Sequence, residues 1–154
     1  MTVCLGVDPG VRGGIAVLQH RQEGARVLYT RAFTPGMTLQ GNLQLVQAAA
    51  GLANAHGPVS CYIERVGHIS GDGGQGSFTF GRVTGGLLVA LYSCGLDPIE
   101  VPPVLWQSRL DCLSGGDKNV TKRKAQQLFP YEKITHSIAD ALLIAYYGLH
   151  HERE

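Results

Sequence analysis

The sequence predicts an α/β protein built on a five-stranded mixed sheet. Three observations carry that reading. Short apolar runs separated by tight turns fill the first 33 residues. From Leu39 the apolar positions switch to helical spacing, and a further apolar run, Val59 to Val66, follows that helix. A strand, a helix and a strand in succession form a crossover, which requires parallel pairing.

Val3 to Val7 is a continuous apolar run closed by a DPG turn, the pattern of a buried strand. Ile15 to Leu18 follows after Gly13 and Gly14, and Arg26 to Phe33 alternates, so the first three strands form a meander. Leu39, Leu43, Val46, Ala50 and Ala53 then lay one apolar stripe along a helix. After the Val59 to Val66 strand comes GHISGDGGQGSFTFGR, whose glycines and lack of period predict a long loop of the kind that usually carries function. Val83, Leu87, Ala90, Leu91 and Cys94 mark a second helix stopped by Gly95, and Ile99 to Val101 is the fifth strand. Helices are expected over 104–113, 121–129 and 136–150. No internal repeat or linker divides the chain, so residues 1–154 are read as one domain.

Composition excludes several classes. A hydrophobic content of 44% and charged content of 16% fit a folded globular protein, and 21 glycines suggest tight turns near a ligand. The net charge of +1 gives no global attraction to nucleic acid or membrane, so any such argument must rest on a local patch. No apolar run reaches bilayer length and the start lacks a signal-peptide pattern, so a cytoplasmic location is expected. Cys4, Cys61, Cys94 and Cys112 lack zinc-ligand spacing and read as small buried hydrophobes.

Three acids sit where apolar runs end or inside one: Asp8 after VCLGV, Glu64 after CYI, and Asp140 within SIADALLIA. Each alone suits a strand end or helix cap. Together they point elsewhere, because a buried ionised carboxylate costs several kcal/mol unless paired or metal-bound. Arg12, Arg65 and His136 are the only local partners. A divalent cation resolves the mutual repulsion; carboxylate oxygens suit Mg²⁺ or Mn²⁺, and two such ions about 4 Å apart are a device for phosphodiester cleavage. His136 lies four residues before Asp140 and shares its helix face, as a further metal ligand or as a base toward water. Lys118, Lys122, Arg123 and Lys124 form a basic cluster suited to phosphates, or a solvated face. In QGSFTFGR, Phe78 and Phe80 either anchor the loop on the core or stack on unpaired bases, with Arg82 beside them.

GVDPGVRGGIAVL, YIERV, QGSFTFGR, VPPVLWQ, GDKNVTKRKAQQLFP and HSIADALLIAYYG, in that order and over nearly the whole chain, resemble the RuvC-type Holliday junction resolvases, most closely the shorter phage-like branch. The resemblance implies a ribonuclease H-like fold, with helices on both faces of the sheet and carboxylates meeting at the ends of the central strands and on the last helix. The family's first-strand, fourth-strand and last-helix acids fall on Asp8, Glu64 and Asp140. Its additional Asp or His, three residues before the last acid, falls on Ser137, which makes His136 the candidate for the fourth group. The family's backbone-contacting basic residues correspond in region to Lys118, Lys122, Arg123 and Lys124, and its junction-probing loop to Gly67 through Arg82.

The implied activity is hydrolysis of four-way DNA junctions by paired nicks, leaving 5′-phosphate and 3′-hydroxyl ends. Two Mg²⁺ or Mn²⁺ ions are expected per site, with Asp8 bridging, Glu64 and Asp140 each holding one, and His136 orienting or deprotonating water. Branched DNA is the expected partner, with no nucleotide cofactor and no membrane. Symmetric nicks imply a C₂ homodimer, for which the helix bearing Gly85, Gly86, Leu87 and Tyr92 is the candidate surface. The expected setting is the cytoplasm of a bacterial or phage-infected cell. Three alternatives stay open: a nuclease for flaps, forks or hybrids, a non-catalytic junction binder, and an actin-like phosphotransferase holding a phosphate at DPGVRGG.

Overall fold

A computed structural model describes residues 2–67, 71 and 73–151. Strands β1 (Val3–Asp8), β2 (Gly14–Arg21) and β3 (Gly24–Ala32) form the meander. Helix α1 (Leu39–Asn54) crosses over to β4 (Val59–Glu64), and α2 (Gly74–Ser93) crosses over to β5 (Pro98–Val101). Helices α3 (Pro103–Arg109), α4 (Lys118–Leu128) and α5 (His136–His150) complete the chain. The sheet order is β3-β2-β1-β4-β5. β1 pairs antiparallel with β2 and parallel with β4, and β4 pairs parallel with β5, so the expected mixed sheet is present.

Strand alternation divides the interior into two layers. Val3, Leu5 and Val7 of β1, with Cys61 and Ile63 of β4, pack against α1 and α2. Cys4 and Tyr62 point the other way, into a layer with Trp106 of α3, Ala125 of α4 and Ala139, Ala141 and Leu142 of α5. By the period of two, Asp8 and Glu64 leave their strands on this second face. Helix α5 lies close against it: a Cβ on Gly6 would stand 2.9 Å from Ala145 Cα, and one on Gly148 would stand 2.7 Å from the Tyr62 ring. Two absent side chains thus set the depth at which α5, and Asp140 with it, sits over β1 and β4.

Two expectations are corrected. The glycine-rich stretch is not one long loop: α2 starts at Gly74 and runs through Phe78, Phe80 and Arg82. Each glycine costs a helix up to about 1 kcal/mol relative to alanine, which is why the sequence reads as irregular. Extending a helix already packed through Thr84, Leu87 and Leu91 needs no new nucleus, however, and the extension wins. Of the expected loop, residues 68–70 and 72 lie outside the described residues. The helix expected over 104–113 ends at Arg109, because Asp111 takes a left-handed conformation at φ 54°.

Cys4, Cys61 and Cys112 are buried and Cys94 half-buried, and burial pushes the Cys112 thiol up to about 11, in keeping with inert packing thiols. No helix among the described residues is long and apolar enough to cross a membrane.

Candidate active site

Asp8 ends β1, and the chain reverses there. Gly10 N–H donates to Asp8 Oδ1 at 3.2 Å, and Gly13 N–H closes the turn onto the Gly10 carbonyl. Gly13 has no substitute, because a Cβ there would stand 2.8 Å from Asp8 Cγ. Arg12, the nearest cation in sequence, is exposed on the lip of the adjoining cleft. Val7 is paired with Ile63, so the next residues, Asp8 and Glu64, leave neighbouring parallel strands side by side. Asp140, in the second turn of α5, is 2% exposed and completes the group.

The electrostatics follow from this crowding. Burial, and after it the charge of Asp140, pushes the Asp8 carboxyl up, against the opposing pull of Lys118 and the Gly10 N–H. Burial and the charge of Asp8 raise Glu64 to about 7. Lys118 meets Asp140 directly: Nζ donates to Oδ2 at 2.6 Å. Burial alone would lower the lysine, but the hydrogen bond and charge of Asp140, with Asp8 and Glu64 behind it, raise it. Asp140 Oδ1 is buried without a hydrogen-bond partner among the described residues. An orphaned buried carboxylate oxygen is costly, and it marks a place where a ligand belongs.

Asp8 and Glu64 border a cleft of about 950 Å³ lined also by Arg12, Gln75, Phe80 and Lys118, among others. His136 and Ser137 also line it. His136 is exposed at the start of α5, with Nε2 3.1 Å from Asn119 Oδ1. Lys118, expected among the DNA-contacting residues, is drawn into the carboxylate group. Lys122 and Lys124 are half-buried and Arg123 exposed along α4. On α2 the two phenylalanines part company: Phe80 lines the cleft, whereas Phe78, two residues away and so on the far side of the helix, is 72% exposed. Arg82 is exposed. The suggested dimer surface is corrected in part. Leu87 is buried in the core and Gly86 faces Leu39, while Tyr92, with Val89, is exposed.

Donor chemistry fits a hard divalent cation: three carboxylates, two of them with pKa raised by burial and then by their neighbours' charge, and one buried oxygen unpartnered. Among the described residues, no three acid, thiol or imidazole side chains already stand close enough to hold an ion.

Sequence reasoning missed two positioning groups. Trp106 is fully buried and donates its indole N–H to Glu64 Oε2 at 2.9 Å. The signal available was a lone tryptophan on a short proline-started helix directly after the fifth strand. Asn119, which holds His136, left no signal beyond proximity to Lys118.

By sequence, the chain matches no family model and no curated protein at significance. By structure, it is similar to RuvC of T. thermophilus in complex with a Holliday junction substrate, with a TM-score of 0.72 at 19% identity over 98% of this chain and 94% of that one. A second structure of Thermus thermophilus RuvC gives a TM-score of 0.68 at 19% identity, covering 96% of this chain and 95% of that one. Sheet order, the two helical layers and coverage of nearly the whole chain agree with the resemblance in the sequence: this protein has the ribonuclease H-like fold in its RuvC form.

Proposed function

We propose that this chain is a metal-dependent endonuclease that resolves four-way DNA junctions by paired symmetric nicks, leaving 5′-phosphate and 3′-hydroxyl ends. The observation that carries the reading is that Asp8 and Glu64 leave neighbouring strand ends into one open cleft, with Asp140 of α5 near enough for its charge to act on both. Structural likeness to a junction-bound RuvC supports the choice of substrate.

Asp8, Glu64 and Asp140 would hold Mg²⁺ or Mn²⁺, two ions in the full site. When bound, the metal supplies Lewis-acid stabilisation of the charge that develops on the phosphate oxygens. The rest falls to side chains of the chain itself. With its Nε2–H donated to Asn119, His136 keeps Nδ1 as an acceptor, suited to orient the attacking water or take its proton. Trp106 fixes the Glu64 carboxylate, and Arg12 and Lys118 face the cleft where a phosphate would lie. Phe80 offers an aromatic face to an unpaired base at the junction, and Phe78 and Arg82 would meet the DNA separately, from the opposite, exposed side of α2. Lys122, Arg123 and Lys124 meet the backbone further out. Two-fold symmetry of the substrate calls for a homodimer, and the exposed side of α2 with Val89 and Tyr92 is our choice of contact. The protein would act in the cytoplasm.

The test is a substrate panel: four-way junction, flap, fork and RNA–DNA hybrid, each with Mg²⁺ and with Mn²⁺. Junction cleavage lost in Asp8→Asn, with junction binding retained, supports the proposal. Preferential cutting of flaps or forks redirects it to another branched substrate. Junction binding by the unmutated protein with no cleavage in either metal would leave a non-catalytic binder.

A further inference from the structure

Lys118 stands in an odd place for a lysine. It is the first residue of α4, at the helix end where the macrodipole disfavours a cation, so helix stability does not explain it. Its side chain is 61% exposed, yet its ammonium is committed to Asp140, which is almost fully buried. The stem therefore lies in solvent and only the charged tip is engaged. A second cleft of about 440 Å³ adjoins this contact, lined by Lys118 itself and by Val104, Gln107, Leu113 and Asp140 among others. Lys118 is the one described residue that lines both clefts. The Lys118–Asp140 bridge is thus a partition between them.

Resting on the metal-dependent reading above, we infer that Lys118 is the built-in stand-in for the divalent cation, and that the cation's entry and the lysine's release from Asp140 are one event. One ammonium faces three carboxylates, takes one oxygen of Asp140 and leaves the other buried and unpartnered. A divalent cation matches that charge better, and both cations cannot occupy Asp140 Oδ2 at once. The exposed stem can swing without repacking the core. Release removes the partition, joins the two clefts across Asp140 and frees an ammonium for the phosphate of a bound strand. The lysine also offsets the mutual repulsion of the acids while no metal is bound.

The experiment compares wild type with Lys118→Met by Mn²⁺ titration, counting free Mn²⁺ by electron paramagnetic resonance, and by melting with and without Mn²⁺. Lys118→Met is expected to melt several degrees lower without metal, to bind Mn²⁺ about tenfold more tightly, and to regain wild-type melting when loaded. Equal or weaker Mn²⁺ binding by the variant overturns the inference while leaving the metal reading intact; no Mn²⁺ binding by either protein overturns both. A second measurement, read on the wild type, serves should Lys118→Met not fold. The ¹⁵N-ammonium resonance of Lys118, assigned by its loss in Lys118→Arg, should be protected from exchange without metal and lose that protection at saturating Mg²⁺. Protection that persists at saturation overturns the inference.

Discussion

Trp106 and Glu64, 42 residues apart in sequence, are joined by a 2.9 Å hydrogen bond from the indole N–H to Oε2. The bond favours the ionised carboxylate and so opposes the burial and Asp8 charge that raise it. Trp106→Phe should therefore lift Glu64 further above about 7 and lower stability by about 2 kcal/mol. The acidic limb of the pH–cleavage profile should move to higher pH. An unmoved limb with a lowered melting point would make Trp106 a packing residue alone.

Glu64 also makes stability depend on pH. Its folded value lies at about 7 against an ordinary 4.5, so the folded state binds the proton more tightly than the unfolded chain. Stability from this group is full below pH 4.5 and is lost as pH rises to about 7. Glu64→Gln should flatten that decline and, at pH 8, gain about 2 kcal/mol over wild type. Urea titrations without metal at pH 5 and pH 8 read the difference. A wild type more stable at pH 8 than the variant contradicts the assignment.

Gly6 meets backbone, not side chain, where its Cβ would be: Ala141 and Ala145 of α5. Neither can turn aside. Gly6→Ala should cost about 3 kcal/mol and lower Mn²⁺ affinity, because α5 carries Asp140. A melting temperature within a degree of wild type would show that α5 has slack to move.

The phenylalanines of α2 should separate by assay. Phe80→Ala should weaken junction cleavage strongly, whereas Phe78→Ala, at an exposed site, should change stability by less than about 0.5 kcal/mol. Equal losses of melting temperature and activity in Phe80→Ala would assign it to the core.

On α4, replacing Lys122 and Arg123 with alanine should reduce the salt dependence of junction binding by about two units of slope. Filter binding over a salt series measures it. An unchanged slope makes these residues a solvated face.

Much of this was legible in the sequence, for physical reasons that differ by element. The central strands stood out because the sheet is covered on both faces there, so they read as apolar runs such as VCLGV, while the half-buried third strand stood out by its alternation. Asp8, Glu64 and Asp140 stood out because acids are out of place in those runs. The first turns of α2 did not, since their glycines lower helix propensity while the packing that carries the helix lies further along at Leu87 and Leu91. The Lys118–Asp140 contact was also hidden, because nothing in a basic run shows which lysine turns inward. Neither was the indole beside Glu64 visible: the pairing depends on β5 delivering α3 to the end of β4, a relation of the fold and not of neighbouring residues.

The two faces of the sheet differ in what they tolerate. Opposite the acids, α1 meets the same core as Val3, Leu5 and Val7 through Val46, Ala49, Ala50 and Ala53 and carries no residue of the site, so a cavity or a larger side chain there chiefly changes how firmly the chain holds together. On the other face, α5 is wall and tool at once: Leu142 and Leu143 fill the core on the same helix that carries Asp140. Any repacking beneath α5 re-aims a carboxylate. Engineers and natural drift alike can therefore stabilise this protein from beneath α1, while beneath α5 each gain in packing is also an adjustment to the chemistry.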